Sequence, residues 1–503
     1  MAMTGENLRL IWGIKLKQFR LKKGYALKEL AEKTNLSISF LSEIEKGKKY
    51  PKPEKIMQLA GALGVSFDEL VSLKVDEELD ALTTLLDSPF LHEFPFELFG
   101  ITPRNLLALL TNAPSKAGAF IRTFLEIGQT YDMRVEHFIL AALRSYQKMH
   151  LNYFADIEQS VIEFIDGHHW QVAPRIDTEQ LRSVLVNEYG FELMESSFEN
   201  YDELRGFRSV RIKGLPHKLI INKNLLPIQK SFLLGREIGF CYLDLKEKPT
   251  TSTWIKVESF EQVLNNFKAS YFAGALLINQ NLLKKDLTRF FQRKRWNGQE
   301  FLHLMKKYEA TPEMFLYRLS QLIPKFFDLH EIFYLRFNNE SGTDIYRLTK
   351  ELNMSQVRVP HGIGLHEHYC RRWLSISLLK ELAQKQRKRV KKNTCISAQK
   401  SKFVESEAEF FTITLARPLA LTEGTNSSIS IGFLINKAFK KTVRFWNDPE
   451  IPEVEVNETC ERCGFSEDLC HDRVAPPHII KQEQNQKIRE AALQQFEQEM
   501  ANR

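Results

Sequence analysis

The sequence has no uninterrupted apolar run of the roughly 20 residues that a membrane-spanning helix needs. Its N-terminus, MAMTGENLRL, lacks the charged and then apolar layout of a secretory signal. Only six cysteines occur in 503 residues, too few for a disulfide framework in a chain of this size. These absences favour a cytoplasmic protein without a membrane span, in which clustered thiols indicate metal or redox chemistry.

A chain of 503 residues is too long for one typical domain, and its length suggests about three. The net charge of +7 is unevenly distributed along this chain. Residues 1–74 contain 14 Lys and Arg but 8 Asp and Glu, which leaves +6 in this segment. Such a concentration is expected of a domain that displaces counterions from DNA phosphates, whereas solubility alone would not require it.

The segment Leu27–Tyr50, LKELAEKTNLSISFLSEIEKGKKY, predicts two short helices joined by a tight turn. Apolar residues share one face of the first helix: Leu27, Leu30 and Ala31. Asn35 tolerates the left-handed conformation in which helices often end. Ser37 can cap the second helix, and Gly47 can end it. This pattern indicates a helix-turn-helix DNA reader, although an ordinary helical bundle with a solvated basic face is the alternative.

The second of these helices carries the residues that we expect to contact DNA. The residues expected nearest the bases are Ser37, Ser39, Phe40 and Ser42. The residues expected to contact phosphates are Lys46, Lys48 and Lys49. The position of Phe40 also allows its ring to turn into the core beside Leu41 and Ile44.

The same segment resembles the Xre-type repressor family, whose pattern is a Leu-Ala helix, a Ser-rich helix and Ile-Glu-x-Gly-x-x-x-Pro. The matching residues are Leu30 and Ala31, Ile44 to Gly47, and Pro51. The family usually opens its first motif helix with Thr-Gln, where this chain has Ala26 and Leu27. The resemblance implies an all-α domain at residues 1–75. It also implies a homodimer on a palindromic operator of double-stranded DNA.

Residues 76–170 are predicted as a helical spacer or dimerisation region, and residues 171–325 resemble the ImmA/IrrE-type metallopeptidases. An active member carries H-E-x-x-H on a helix, where two His side chains bind zinc and the Glu activates water. Here the motif reads Arg236-Glu237-Ile238-Gly239-Phe240. The positions near the third ligand are Asn266 and Lys268.

None of these replacements suits a metal, because arginine is a permanent cation and the phenyl ring has no lone pair. We therefore predict a mostly helical, peptidase-like domain without peptidase chemistry. Glu237 should pair with a neighbouring cation instead of acting as a base. An unrelated amphipathic helix ending at Gly239 is the alternative.

Residues 326–480 alternate between strand-like and helix-like segments, which predicts an α+β sensor domain. The predicted strands are EIFYLRF, FFTITLARPLAL, SSISIGFLI and TVRFWND, and the predicted helices are DIYRLTKELN and RRWLSISLLKELAQ. The size and pattern are similar to a GAF-like ligand domain, an analogy that does not identify a ligand. Residues 481–503 are predicted as a polar helical tail.

Four cysteines of this domain are candidate metal ligands. Cys460 and Cys463 form a CxxC pair, Cys470 follows, and Cys370 lies far upstream in HEHYCRRW. Four thiolates suit zinc or an iron–sulfur cluster. Free structural thiols are the alternative, because one CxxC pair and two single cysteines are a less specific pattern than two CxxC pairs.

Taken with the Xre-type and peptidase-like segments, this domain resembles the short-chain fatty acid regulator family. The matching residues are Cys370 to Trp373, Thr459 to Cys463, Cys470, Arg473, Pro476 and Pro477. The resemblance implies a transcription regulator of acyl-CoA metabolism with an acyl-CoA effector, and in some members an iron–sulfur cluster. We therefore predict a dimeric, effector-responsive regulator that is not an enzyme. Two alternatives are a divergent metal-dependent peptidase and a phage-immunity or toxin–antitoxin type of regulator.

Overall fold

A computed structural model of the chain describes most of the residues, in two compact units that divide after Ala142. The described residues are 5–71, 95–99, 135–196, 198, 200–212, 214, 216–251, 257–357, 359–360, 367–388, 394–404, 408–466 and 470–501. Much of the predicted spacer, at residues 76–94 and 100–134, lies outside them. Within the described chain, no helix has both the length and the apolar character of a membrane span.

The described part of the first unit is all-α. Its α-helices are α1 (Gly5–Lys22), α2 (Leu27–Thr34), α3 (Ile38–Glu45), α4 (Pro53–Leu63) and α5 (Phe67–Val71). Their apolar faces meet in one core that contains Leu16, Leu30, Leu41, Ile44, Leu59, Leu63 and Leu70. Asn35 ends α2 with a positive φ of 50°, and Ser37 caps α3, as the sequence predicted. The predicted helix-turn-helix is therefore confirmed.

The second unit begins with a mostly helical region around a small sheet. Its helices are the part of α6 (Val135–Met149) that follows Ala142, and α7 (Ala155–Gly167), α8 (Thr178–Asn187), α9 (Pro227–Tyr242), α10 (Phe260–Leu277), α11 (Gln280–Phe291), α12 (Gly298–Lys307) and α13 (Pro312–Phe327). The strands are β1 (Phe191–Ser196), β2 (Ser209–Ile212) and β3 (His217–Asn222). The central strand β3 runs parallel to β1 and antiparallel to β2.

Helix α7, which the sequence assigned to the spacer, packs against α10 in this region. The ring centroids of Phe164 and Phe272 are 5.6 Å apart. Glu158 is buried, and its carboxylate lies 2.6 Å from Arg318 and 2.8 Å from the hydroxyl of Tyr271. A buried ion pair with a further hydrogen bond fixes the geometry of the elements that contribute it. Residues 155–167 are thus structurally part of the middle region.

The C-terminal region is α+β, as predicted, and is built on one six-stranded sheet. The strands are β4 (Ile332–Glu340), β5 (Tyr346–Asn353), β6 (Cys395–Phe403), β7 (Glu409–Pro418), β8 (Thr425–Leu434) and β9 (Glu453–Val456), in the order β5-β4-β8-β7-β6-β9. Helix α14 (Leu374–Arg387) covers one face, and α13 packs on the other, where the Tyr317 and Tyr334 rings meet at 5.3 Å. Two further helices follow in the chain, α15 (Lys437–Thr442) and α16 (His478–Ala501).

Two segments of this region differ from the predictions. DIYRLTKELN forms strand β5 instead of a helix, because it pairs antiparallel with β4 through a β-bulge opposite Arg336 and Phe337. TVRFWND contains a 3-10 turn at Arg444–Asn447 instead of a strand. This turn buries Phe445, whose ring packs 5.8 Å from that of Trp296. Tertiary packing thus overrides the local pattern in both segments.

Candidate functional site

Helix α3, the predicted DNA-recognition helix, is fixed against α1 by one close approach and one ion pair. A Cβ atom on Gly13 would lie 2.3 Å from the carbonyl oxygen of Ile44, so only glycine permits this contact. Arg20 donates to both carboxylate oxygens of Glu45, at 2.6 and 3.0 Å, and to the carbonyl oxygen of Tyr25. A bidentate pair adds directional as well as electrostatic restraint. The end of α3 is therefore held in a defined position.

The start of α3 presents small side chains to solvent. The Ser37 hydroxyl accepts a hydrogen bond from the backbone N–H of Phe40 at 3.1 Å, so Ser37 acts as the helix cap. Ser39 is exposed and Ser42 is half-buried. Ile38 is 48% exposed, an apolar side chain on the candidate DNA-binding surface that the sequence analysis did not select. Its only sequence signal is an isoleucine between two serines, outside the buried set of α3.

Phe40 turns partly into the core, the second of the two positions predicted for its ring. Its ring is half-buried and packs against the core of the first unit. The Lys55 ammonium lies 4.1 Å from the ring centroid and that of Lys49 lies 5.9 Å away. Stacking on the ring therefore helps to hold two cations near α3.

Exposed lysines surround the end of α3. Lys46, Lys48 and Lys49 are exposed, and Gly47 turns the chain between them with a φ of 67°. Lys49 lies 2.8 Å from Glu43, and its hydrogen bond and charge lower the pKa of that carboxyl. An exposed pair of this kind is weak, so Lys49 remains able to exchange Glu43 for a phosphate.

The REIGF motif lies within α9, which continues past Gly239 to Tyr242. Glu237 is buried and is paired with Arg236 at 3.1 Å and with Arg211 of β2. Burial opposes its ionisation, but the two arginines outweigh burial and lower the pKa of this carboxyl. The prediction that Glu237 pairs with neighbouring cations is confirmed.

The four candidate cysteine ligands are all buried in the C-terminal region and are held by two backbone connections. The N–H of Cys460 donates to the carbonyl oxygen of His368 at 2.8 Å, and the N–H of Cys370 donates to that of Glu458 at 3.2 Å. Cys463 packs in a small apolar cluster with Cys470. The fold thus brings the segment of Cys370 beside that of Cys460, and Cys463 beside Cys470.

Burial raises the pKa of the Cys370 thiol to about 11, and it also raises the pKa values of Cys460 and Cys463. In the described chain, no three His, Cys, Asp or Glu side chains converge with the geometry of a metal site. Residues 467–469, which precede Cys470, lie outside the described residues. The donor set fits a soft metal ion chemically, because thiolates are its preferred ligands and a metal stabilises the thiolate form.

A cleft of about 490 Å³ opens beside this cysteine cluster. Its lining includes Arg144 and Lys148 of α6, Val357, and Glu458 and Arg462, which flank Cys460. The charges in the cleft are largely paired within the described chain, since Arg144 lies 3.3 Å from Glu351 and Arg462 lies 2.6 Å from Glu367.

Two family descriptions match separate parts of the chain. Helix-turn-helix matches residues 16–70, which contain α2 to α4 and all but the last residue of α5. IrrE N-terminal-like domain matches residues 184–320, which contain the three-stranded sheet and α9 to α12. The middle region is therefore IrrE-like, and the chain combines it with a helix-turn-helix and a C-terminal sheet.

Relatives with similar N-terminal sequences are transcriptional regulators. The uncharacterized HTH-type transcriptional regulator YazB of Bacillus subtilis (strain 168) is 40% identical over 60 residues, which are 12% of this chain and 87% of YazB. The chain belongs to the HTH-type transcriptional regulators. The HTH-type transcriptional regulator SinR, of Bacillus licheniformis and of Bacillus subtilis, is 38% identical over 69 residues, 14% of this chain and 62% of SinR. This regulator thus binds DNA through its first unit.

Two solved structures are also similar. A Mycobacterium tuberculosis transcriptional regulator aligns with a TM-score of 0.45 and 13% identity over 66% of this chain and 92% of that one. A hypothetical transcription factor NHTF from Neisseria aligns with a TM-score of 0.14 and 28% identity over 16% of this chain and 91% of that one.

Proposed function

We propose that this regulator controls genes of short-chain fatty acid and acyl-CoA metabolism, and that an acyl-CoA effector changes its affinity for the operator. The segments at Cys370–Trp373 and Thr459–Cys463 support the choice of this subfamily. The observation that favours sensing over hydrolysis is the ion pair of Glu237 with two arginines. A carboxylate fixed between cations, in a motif without His ligands, is poorly placed to activate water.

In this proposal α3 enters the major groove, where Ser39 and Ser42 reach base edges. Ile38 would contact a thymine methyl group, because an exposed apolar side chain loses water there. Lys46 and Lys48 would contact phosphates on either side. A homodimer would place two copies of α3 about one helical turn of a palindromic operator apart.

The test of DNA binding uses the full-length protein and the promoter of its own gene, with fluorescence anisotropy as the readout. We expect affinity to fall steeply as salt rises from about 50 to 200 mM, since bound phosphates release counterions. A second titration with propionyl-CoA should change operator affinity, whereas propionate should not. Binding without salt dependence would contradict the DNA surface, and no response to acyl-CoA would contradict the effector.

We also propose that Cys370, Cys460, Cys463 and Cys470 hold zinc or an iron–sulfur cluster. The burial of all four thiols supports this, because a bound cation would offset the charge of thiolates in such a place. The Nε and Nη1 atoms of Arg473 are buried without a hydrogen-bond acceptor among the described residues. Burial raises the pKa of Cys463, and the charge of Arg473 partly opposes that increase. Such donors suit an anionic thiolate cluster.

Anaerobic purification followed by metal analysis and a visible spectrum tests this site. Absorbance from thiolate-bound iron would indicate a cluster, and a colourless protein with one zinc would indicate a zinc site. Cys463→Ser should remove the metal, and Cys241→Ser, outside the cluster, should not. Metal-free wild-type protein would contradict the proposal.

The IrrE-like match favours a second candidate function, a divergent metal-dependent peptidase. It would require proteolysis that is lost in Glu237→Gln and metal bound at the REIGF motif. Two substrates test for cleavage by the purified protein. One is denatured casein, and the other is the regulator itself, bound to its promoter DNA. Wild-type cleavage that survives chelation, or no cleavage at all, would reject this candidate.

A further inference from the structure

Three basic side chains lie on one face of the six-stranded sheet, on three different strands. Lys350 of β5 is paired directly opposite Arg336 of β4. Arg417 of β7 pairs with Ser427 of β8, which in turn pairs with Asn338 of β4. Arg336 donates from Nε to the Ser427 hydroxyl at 3.2 Å. Because residues two apart on a strand share a face, Arg336, Lys350 and Arg417 form one basic row.

The basic row is only partly neutralised by the described residues. Arg417 lies 2.8 Å from Glu313, in the first turn of α13. Burial opposes ionisation of Glu313, but Arg417 and Arg336 outweigh it and lower the pKa of this carboxyl. Lys350 has no ion pair within the described chain, and its Nζ lies 3.4 Å from the ring centroid of Tyr317. Like charges directly opposite each other destabilise a sheet, so this row costs stability unless an anion offsets it.

Lys350 has an exposed side chain and a lowered pKa. Its side chain is exposed, yet burial, followed by the charges of Arg336 and Arg208, lowers its pKa to about 7. Its Nζ packs against the ring of Tyr317, on the side of the sheet that α13 contacts. The Nε atom of Arg417 is buried and donates no hydrogen bond to a described residue. The basic row therefore offers both net positive charge and an unused donor.

The cleft beside the cysteines is a weaker attractor of anions. Its arginines, Arg144 and Arg462, are each paired with a carboxylate. In the basic row, two arginines and Lys350, which is partly protonated at pH 7, are accompanied by one described carboxylate, Glu313. The charge excess therefore lies at the sheet and α13, where a low effective dielectric strengthens the attraction for an anion.

We propose that Arg336, Lys350 and Arg417 form a binding site for a phosphate-bearing small molecule on the α13 face of the sheet. Phosphate fits this row because it carries up to two charges and accepts hydrogen bonds from several donors at once. A ligand with two or more phosphate groups would match three cations better than a monocarboxylate would. The regulatory meaning of the site rests on the effector-responsive function proposed above, whereas the binding itself does not.

Isothermal titration calorimetry of the full-length protein at constant ionic strength tests the site. The probes are sulfate, inorganic pyrophosphate and coenzyme A, with acetate as a monocarboxylate control. We expect pyrophosphate and coenzyme A to bind more tightly than sulfate, and acetate not to bind. Tighter binding of coenzyme A than of pyrophosphate would identify a nucleotide-bearing ligand, and equal binding would limit recognition to the phosphates.

The decisive variant is Lys350→Gln, with Arg295→Gln as the matched control on an exposed surface. Loss of one charged donor should weaken pyrophosphate binding about tenfold or more, because hydrogen bonds to charged groups are strong. Without ligand, Lys350→Gln should unfold at the same temperature as wild type or a higher one, since it removes repulsion from Arg336. This combination separates a ligand contact from a structural role, which would lower the unfolding temperature.

The pH dependence of sulfate binding gives a second signature, because sulfate remains a dianion between pH 6 and 8. The charged or titratable groups around Lys350 are Arg336, Arg208, Tyr317, Tyr334 and Glu313. Arginine stays protonated, and burial raises the pKa of Tyr317 to about 12, so Lys350 is the group expected to titrate. Sulfate affinity should fall as pH rises through 7 in wild type and stay constant in Lys350→Gln.

Operator affinity is measured in parallel, so that failure of the binding site can be distinguished from failure of its regulatory role. No binding of any phosphate-bearing probe, or equal binding by Lys350→Gln and wild type, overturns the site and leaves the regulator proposal intact. Binding that depends on Lys350 but leaves operator affinity unchanged supports the site and overturns its regulatory role.

Discussion

Gly13→Ala should displace the recognition helix, because the new Cβ would meet the Ile44 carbonyl oxygen at 2.3 Å. A comfortable carbon–oxygen contact needs about 3.3 Å, so α1 and α3 would have to separate by roughly 1 Å. Overpacking of this kind costs about 1–3 kcal/mol, and better helix propensity returns about 1 kcal/mol. We expect a net loss of about 1 kcal/mol in local stability, or roughly a fivefold change in the opening equilibrium.

Gly61→Ala is the matched control, since Gly61 also lies within a helix and a Cβ there would meet nothing within 4 Å. Hydrogen exchange of peptides from residues 38–50, measured by mass spectrometry on the full-length protein, reports the opening of α3. Gly13→Ala should exchange faster and bind the operator more weakly, whereas Gly61→Ala should match wild type or exchange more slowly. Wild-type exchange and affinity in Gly13→Ala would refute the close approach.

Three further predictions concern separate parts of the chain. Ser39→Glu with Ser42→Glu should abolish specific binding in a gel-shift assay, because carboxylates would face bases and phosphates; unchanged affinity would exclude this placement. Lys48→Gln should lower the slope of log affinity against log salt by about 1, as loss of one phosphate contact requires. Arg318→Leu should destabilise the protein by about 3–5 kcal/mol in calorimetry by stranding Glu158, and adding Glu158→Leu should recover most of that loss.

The first unit could be predicted because its determinants are local. Asn35 and Ser37 fix the turn and the cap through their own backbone and side chains, within three residues of the positions that they affect. The inward positions of α3, Leu41 and Ile44, follow from helical periodicity alone. The Gly13 contact was not predictable, because it depends on how closely two helices approach in the folded unit.

Strand β5 shows how a helical pattern can arise in a strand. Leu348 and Leu352 are four positions apart, a spacing that is also found on one face of a helix. In the structure Phe337 pairs with Leu348 and Arg336 with Lys350, so one extra residue bulges between them. Leu348 pairs with Phe337 and Leu352 with Tyr334, which are three positions apart on β4, so the bulge puts the two leucines on opposite faces of the sheet. Only pairing with β4 reveals the bulge.

The basic row and the cysteine cluster depend on residues that are distant in sequence. Cys370 approaches Cys460 because Tyr369 and Thr459 form an isolated β-bridge. The CxxC pattern in the sequence identified two of the four cysteines, Cys460 and Cys463. For the basic row, nothing in the sequence relates Arg336 to Arg417. Long-range strand pairing supplies that relation, and strand order cannot be read from one sequence without knowing the fold.

The REIGF motif in the IrrE-like region has a glutamate and lacks the two histidines of the H-E-x-x-H pattern. In an active zinc peptidase a dication stands beside the glutamate; here Arg211 and Arg236 supply two positive charges to Glu237. These charges keep the buried carboxylate ionised and hydrogen-bonded. They therefore offset the desolvation free energy of the carboxylate without a metal. Removing either arginine alone would leave a poorly compensated buried charge. The two arginines therefore give Glu237 a structural role, as the buried partner of two cations.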